Sequence, residues 1–386
     1  MPPFKNAEWK AGASMRRLLV MRLPFPKVQA GPVVPQSRPS RWRRRAVLVL
    51  LGLAMALVAI EVALRVWTGL RNPAIYQLDA AIGWRHTPSL ARTLVDETGR
   101  RVEFSTDARG LRATPHANAP IAGRRRVLFL GDSFTQGSQV EAAELFTSHV
   151  ERGLLAAAVC NAGVGGYSTL QEWRALSPQL AAFAPDLVVL VVFENDFQDN
   201  LMPYFSGLGP RPYLQVRGSE VVVNEVADVG SFERFLMPAP AAMWCYEHCA
   251  LYRALHKHMF LPRHGDALAR LEAKERAALS EADQRTAMAW LLQRIATDVA
   301  AAKCSLLVAA IPMREMVQAA SAPSHAWLAA QCGTLGVPFV SLLPALQRIG
   351  SERAFFAFDI HLTAAGHEAV SATLLPSVAA ALRRRE

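Results

Sequence analysis

Four short segments carry residue types that together could perform acyl transfer. The first is Gly131-Asp132-Ser133-Phe134-Thr135-Gln136-Gly137, a serine at a turn whose flanking glycines let the chain reverse. The second, Asn161-Ala162-Gly163-Val164-Gly165-Gly166-Tyr167-Ser168-Thr169, is a glycine run whose backbone N–H groups can approach a ligand closely. Phe193-Glu194-Asn195-Asp196 supplies a carboxamide, and Asp359-Ile360-His361 an imidazole with an acid two residues earlier. A nucleophile, a base with its orienting acid, and donors for an oxyanion are the parts that acyl transfer needs. Each segment alone has a plainer explanation, because Gly-Asp-Ser is an ordinary turn and a glycine run an ordinary connection. The set, in this order, carries the reading.

To act together, these segments must meet at one edge of a scaffold. Apolar runs at 127–130, 158–161, 187–193, 305–311 and 338–342 fit strands buried on both faces of a parallel sheet. Amphipathic stretches at 142–155, 170–183, 281–302, 324–333 and 364–384 alternate with them as helices. The pattern predicts a three-layer α/β domain over 124–386, with each chemical segment at the C-terminal end of a strand or just before the last helix. Residues 201–280 interrupt the alternation as an insertion, with a hairpin over 213–216 and 221–223 and helices over 232–260 and 267–279. This insertion is expected to stand over the same edge as a lid or substrate platform. Residues 68–123 show turn signals but no helical period and read as a juxtamembrane stalk with short strands.

The four segments resemble the blocks of the SGNH/GDSL hydrolase superfamily, over about residues 124–384. Gly131-Asp132-Ser133 is similar to the first block, Gly163–Gly166 to the second, Asn195-Asp196 to the third, and Asp359 with His361 to the last. Gly83-Trp84 and Gly110-Leu111-Arg112 look like membrane-anchored bacterial members. The resemblance implies a flavodoxin-like α/β/α fold with a mainly parallel five-stranded sheet. It also implies Ser133 as nucleophile, His361 as base and Asp359 as orienting acid, with Ser133, Gly166 and Asn195 forming the oxyanion hole. Asp132 is expected to order the loop. Neither cofactor nor metal is implied. Two departures stand out: Phe193 occupies a position that is usually glycine, and the acid precedes the histidine by two residues where three is usual. His367, six residues beyond His361, is a rival base but falls on the predicted final helix.

Charge places the remainder of the chain. Residues 1–45 contain 11 Lys and Arg against one Glu, together with seven prolines, and read as a disordered cytoplasmic tail. Residues 46–386 carry 31 basic and 31 acidic side chains, which leaves no basic excess for nucleic acid. Residues 46–60 lack any polar side chain, and a helix over 46–67 would be about 33 Å long, enough to span a bilayer. Arg41, Arg43, Arg44 and Arg45 precede it, so the positive-inside rule keeps the N-terminus cytoplasmic and sends the body out. A cleaved signal peptide ending at Ala54-Met55-Ala56 is the competing reading; either way the catalytic body is exported, to the periplasm of a bacterial inner-membrane protein. Glu61 and Arg65 are spaced to pair on one helix face.

Five cysteines in an oxidising compartment suggest up to two disulfides, with Cys304–Cys332 as a candidate bridge. Cys245, His248, Cys249, His256, His258 and His264 lie close in sequence, but their spacing fits no closed zinc pattern. Three functions remain open at this point. The first is a membrane-anchored esterase acting on an acyl ester, such as an O-acetyl group on an envelope glycan. The second is an O-acyltransferase using the same triad, and the third a catalytically silent glycan-binding scaffold.

Overall fold

The computed structural model describes residues 41–71, 75–115, 123–154, 157–205, 208–226, 245, 249–255 and 272–383. The tail over 1–40, His248, His256, His258 and His264 lie outside the described residues, as does most of the helical part of the insertion. The chain divides into two units, Met1–Met55 and Ala56–Glu386.

Helix α1, Arg41–Arg71, contains a stretch, Arg41–Val66, that is long and apolar enough to cross a membrane, with mean hydropathy 2.7. Its apolar side chains are exposed, as lipid contact would require. Glu61 pairs with Arg65 at 2.7 Å, as their spacing predicts. The Glu61 carboxylate also accepts the N–H groups of Ala250 and Leu251, each at 2.8 Å, which start the short helix Ala250–Leu255. This acidic side chain within an apolar helix is therefore satisfied from two directions.

Two antiparallel hairpins follow: β1 (Tyr76–Asp79) with β2 (Gly83–His86), and β3 (Ala91–Val95) with β4 (Arg101–Ser105). The central sheet then begins. Its five parallel strands are β5 (Arg125–Leu130), β6 (Ala157–Asn161), β7 (Leu187–Phe193), β12 (Ser305–Ile311) and β13 (Phe339–Ser341), in the order β13-β12-β7-β5-β6. Counting only these five along the chain, the order is 2-1-3-4-5, the flavodoxin-like arrangement. Its switch point, where ligands bind in such sheets, lies between β5 and β7.

The strands lie between two apolar layers and alternate between them residue by residue. Val127, Phe129, Val189, Val191, Leu307 and Ala309 join one cluster with Phe146 and Val150 of α3 (Phe146–Gly153) and Val370, Leu374 and Val378 of the last helix, Ala364–Arg383. Leu128, Leu130, Val188, Leu190, Leu306 and Val308 face the other way. They pack on Leu176 of α4 (Thr169–Phe183), Met288 and Ile295 of the helix Glu281–Ala301, and Leu328 of the helix Pro323–Thr334. Burial on both faces explains why these strands read as continuous apolar runs. The predicted helix over 142–155 is broken at Leu145, which is extended between a 3-10 turn, Ala142–Glu144, and α3.

Between β7 and β12 the insertion contributes a small pair, β8 (Tyr204–Phe205) with β9 (Gly209–Pro210), and the hairpin β10 (Tyr213–Arg217) with β11 (Glu220–Asn224). Leu214 of this hairpin packs on Leu170 at the start of α4 and on Ala287 and Leu291. The candidate bridge between Cys304 and Cys332 is not formed: neither is in a disulfide, and both pack in the same apolar layer as Leu328. Cys332 is a small buried core group, whereas the half-buried Cys304 Sγ donates to the Ser305 carbonyl at 3.4 Å.

Candidate active site

Ser133 opens the short helix α2, Ser133–Gln136, immediately after β5. The Asp132 carboxylate caps that helix by accepting the Phe134 N–H at 2.9 Å, so the residue beside Ser133 orders the turn. Gly137 ends the helix at a left-handed φ of 59°. The loop after β6 lies directly on this turn. A Cβ on Gly163 would stand 2.5 Å from the Gln136 nitrogen and 2.7 Å from the Thr135 carbonyl carbon, so only glycine lets the two loops approach this closely.

The histidine comes from the far end of the chain. His361 Nε2 lies 2.7 Å from Ser133 Oγ, and His361 Nδ1 is hydrogen-bonded to Asp359 Oδ1. The same Asp359 oxygen accepts the His361 backbone N–H at 3.0 Å. A carboxylate two residues upstream can thus form a local turn and meet the ring together, which gives the shortened spacing a physical rationale. Burial by itself raises the Asp359 carboxyl, but hydrogen bonds from the His361 ring and backbone and from Gln139 outweigh it and hold the group below its ordinary value. Phe134 packs on the imidazole with ring centroids 4.9 Å apart, and Phe193 packs on Phe134 at 4.0 Å. Phe193, where the resemblance leads one to expect glycine, therefore stands behind Phe134 and through it supports His361.

Gly166 and Asn195 follow β6 and β7, the two strands that flank β5. Gly166 has a φ of 75°, a conformation that favours glycine. Asn195 Nδ2 donates to Asp199 Oδ2 at 2.9 Å, within the short helix α5, Asp196–Asp199, which leaves the second amide hydrogen for an oxyanion. All five residues singled out in the sequence thus lie at the C-terminal edge around the switch point. His367 does not share their surroundings. It is buried on the last helix, stacks on Phe146, and accepts the Phe146 N–H at 3.3 Å through Nδ1. Burial, followed by repulsion from His149, His361 and Arg112, holds it down to about 3, so it stays neutral.

Several supporting residues were not visible in the sequence. Arg211 and Asp199 form a fully buried ion pair at 3.0 Å. Arg211 Nη1 also donates to the Gly166 carbonyl at 3.2 Å, and Nε to the Met202 carbonyl at 3.1 Å. One ion pair therefore touches both the Gly166 loop and, through Asp199, the Asn195 amide. Gln136 Oε1 accepts from Tyr76 Oη at 2.8 Å and contacts His86 Nε2 at 3.0 Å, and it also accepts the Gly165 N–H. Trp84 Nε1 donates to the Gly165 carbonyl at 3.0 Å. Gln139 Nε2 donates to Asp359 Oδ2 at 3.2 Å. Gln136 and Gln139 sit within or beside the first block, so proximity to Ser133 was an available signal. Trp84 stands in the Gly83-Trp84 pair noted in the sequence, although without a role at the site, whereas Tyr76, His86 and Arg211 are remote from every block and gave no signal.

Three further carboxyls lie buried beneath the site. Burial raises Asp132 to about 7. It also raises Glu172 and Asp196 well above the usual range, where repulsion from Asp132 on Glu172, and from Glu172 and Asp132 on Asp196, adds to it. Among the described residues no group of three or more His, Cys, Asp or Glu side chains could hold a metal ion.

No protein-family profile matches the sequence, and no curated protein matches it. Solved structures do align with it. One is a lipase/acylhydrolase from Enterococcus faecalis, 12% identical, covering 66% of this chain and 95% of its own at a TM-score of 0.36. Another is an acetylxylan esterase from Geobacillus stearothermophilus, 12% identical, covering 67% and 96% at 0.38. A third, a two-domain esterase active on acetylated mannans, is 16% identical and covers 69% of this chain and 52% of its own at 0.36.

Proposed function

We propose that this chain is a serine esterase of the SGNH/GDSL type, held at the membrane by α1 with its catalytic domain on the non-cytoplasmic side. The observation that carries the reading is the continuous contact from Ser133 Oγ to His361 Nε2 and from Nδ1 to Asp359. In the reaction, His361 Nε2 takes the Ser133 hydroxyl proton as Oγ attacks the ester carbonyl. Ser133 N–H, Gly166 N–H and Asn195 Nδ2 receive the negative charge that develops on the carbonyl oxygen. The imidazolium returns its proton to the departing alcohol and leaves an acyl-serine. Water, deprotonated by His361, then releases the acid and restores Ser133. Asp359 keeps the Nδ1–H tautomer throughout and stabilises the imidazolium.

The proposed substrate is an acyl ester, such as an O-acetyl group on an envelope glycan. Topology follows from the four arginines at the start of α1, which favour a cytoplasmic N-terminus and a periplasmic body. The test is labelling by a fluorophosphonate, together with an acyl-ester panel run with and without glycan acceptors, reading free acid and acylated sugar. Labelling of wild type that disappears in Ser133→Ala, with acid release, is the expected result. Acylated sugar in place of acid would move the assignment to an O-acyltransferase. An unlabelled wild type that binds glycan would leave a scaffold.

A further inference from the structure

The loop carrying the base is held in an unusual way. Its ends are fixed by a bridge between Phe355 and Leu362 and by the Phe356 N–H donating to the His361 carbonyl at 3.0 Å. Between those ends, side-chain packing does little: Phe358 is 95% exposed and Ile360 61%. A loop that buries so little apolar surface has no hydrophobic reason to keep one conformation. Arg314 Nη1 reaches the Ala357 carbonyl at 3.0 Å, but this fixes one acceptor only.

The missing constraint comes from 260 residues away in the chain. The Glu97 carboxylate accepts three successive backbone N–H groups, those of Ala357, of Phe358 at 2.8 Å and of Asp359 at 2.6 Å. Successive N–H groups converging on one anion form a nest, and the last of them belongs to the residue that orients His361. Burial and repulsion from Asp359 oppose the charge of Glu97, but the N–H groups of Asp359, Phe358 and Ala357 together overcome them and hold its carboxyl below the ordinary value. It is therefore the ionised form that fills the nest at neutral pH.

The hairpin that delivers Glu97 is itself ordered. At the tip between β3 and β4, Asp96 Oδ1 accepts the N–H groups of Thr98 and Arg100, each at 2.9 Å, and Gly99 takes a φ of 86°. Arg100 pairs with Glu144 at 2.9 Å, and the Glu103 N–H reaches Glu141 at 3.1 Å, so the tip is tied to the 3-10 turn that follows the Ser133 loop. A rigid tip presenting one carboxylate to three amides can set the height of Asp359 relative to Ser133.

From this geometry we infer that Glu97 is a positioning residue for the acid–base pair, so that the β3–β4 hairpin is part of the catalytic unit. The inference rests on the esterase reading. A displacement of about 1 Å in a catalytic group can cost on the order of 100-fold in rate, so the effect belongs in kcat.

The test compares wild type, Glu97→Ala and Glu97→Gln as full chains in detergent, with p-nitrophenyl acetate turnover, fluorophosphonate labelling rate and amide hydrogen exchange. Glu97→Ala should lower kcat and the labelling rate by roughly 10- to 100-fold, with KM changed less than about twofold. Glu97→Gln keeps an acceptor for the Phe358 and Asp359 N–H groups but sets its NH2 against that of Ala357, so it should recover only part of that loss. Amides in peptides covering 357–361 should exchange fastest in Glu97→Ala. Wild-type kcat in Glu97→Ala, unchanged exchange at 357–361, or Glu97→Gln as slow as Glu97→Ala would each overturn the inference. A wild type that neither turns over ester nor labels would refute the esterase reading instead, while the exchange data would still decide whether Glu97 holds the loop.

Discussion

Replacing Arg211 by methionine tests whether the oxyanion hole is built from beneath. Arg211 is fully buried, pairs with Asp199 at 3.0 Å, and donates to the Met202 and Gly166 carbonyls at 3.1 and 3.2 Å. Methionine would fill much of the volume but leave both carbonyls without this donor. Breaking a buried pair costs about 3–5 kcal/mol, and the lower end applies here because Asp199 keeps its contact with Arg276. A loss of about 3 kcal/mol in a domain of this size corresponds to a drop in Tm of roughly 6–12 °C. Activity should fall further than stability explains. Freeing the Gly166 carbonyl and shifting Asp199 under Asn195 disturbs two oxyanion donors, and losing one typically costs on the order of 10²–10³ in kcat. The control is Arg276→Met, which removes the other, partly exposed partner of Asp199 but no contact to Gly166. Because Asp199 keeps Arg211 while the buried Glu272 loses one partner, it should cost about 1–3 kcal/mol and leave kcat within roughly tenfold. Thermal denaturation and kcat on an activated acyl ester, both measured well below Tm, separate the two effects. An Arg211→Met protein with wild-type kcat, or one no more impaired than Arg276→Met, would refute the reasoning.

The triad should behave as a unit: Ser133→Ala and His361→Ala each abolish nearly all turnover of that ester, and the double variant loses little more. Asn195→Ala should be milder, about 10²–10³ in kcat, while Asp359→Asn should be severe because it favours the wrong tautomer. Stability should also depend on His367. Its folded value near 3 lies below the unfolded value near 6.5, so its contribution is complete above pH 6.5 and is lost as pH falls towards 3. Urea unfolding should therefore show that wild type loses about 2 kcal/mol more than His367→Phe between pH 7 and pH 5, and equal losses would contradict this. A C-terminal reporter active only in the cytoplasm should stay silent, and a strong signal would reverse the topology.

The fold was legible where burial is symmetric. Strands β5, β7 and β12 are apolar on both faces, so short runs bounded by turns marked them without any need for periodicity. The break at Leu145 was not legible, because its sequence continues a good helix and only the tertiary position of the 3-10 turn decides where α3 begins. The hairpins over 76–105 were harder still. Their strands are four or five residues long and mostly polar on one face, and the sequence marked them only as a stalk with short strands, without their pairing. Their order comes from distant partners, as in Trp84 against Gly165 and Tyr76 against Gln136.

The same distinction runs through the site. Ser133, Gly166, Asn195 and His361 could be picked out because they stand in short segments that resemble the blocks of a known superfamily, and such blocks are legible locally. What steadies them is restricted only by shape and charge at a distance. An arginine under Gly166 or a glutamate beneath the Asp359 loop could come from any part of the chain that passes by, so no spacing rule points to Arg211 or Glu97. The supports nevertheless share a physical character. Each meets backbone, either carbonyls taken by Arg211 or N–H groups taken by Glu97, and so fixes a loop without constraining the side chains that face the substrate. Holding this loop by its main chain is what allows Phe358 and Ile360 to stay exposed while the contact between His361 and Ser133 beneath them is kept.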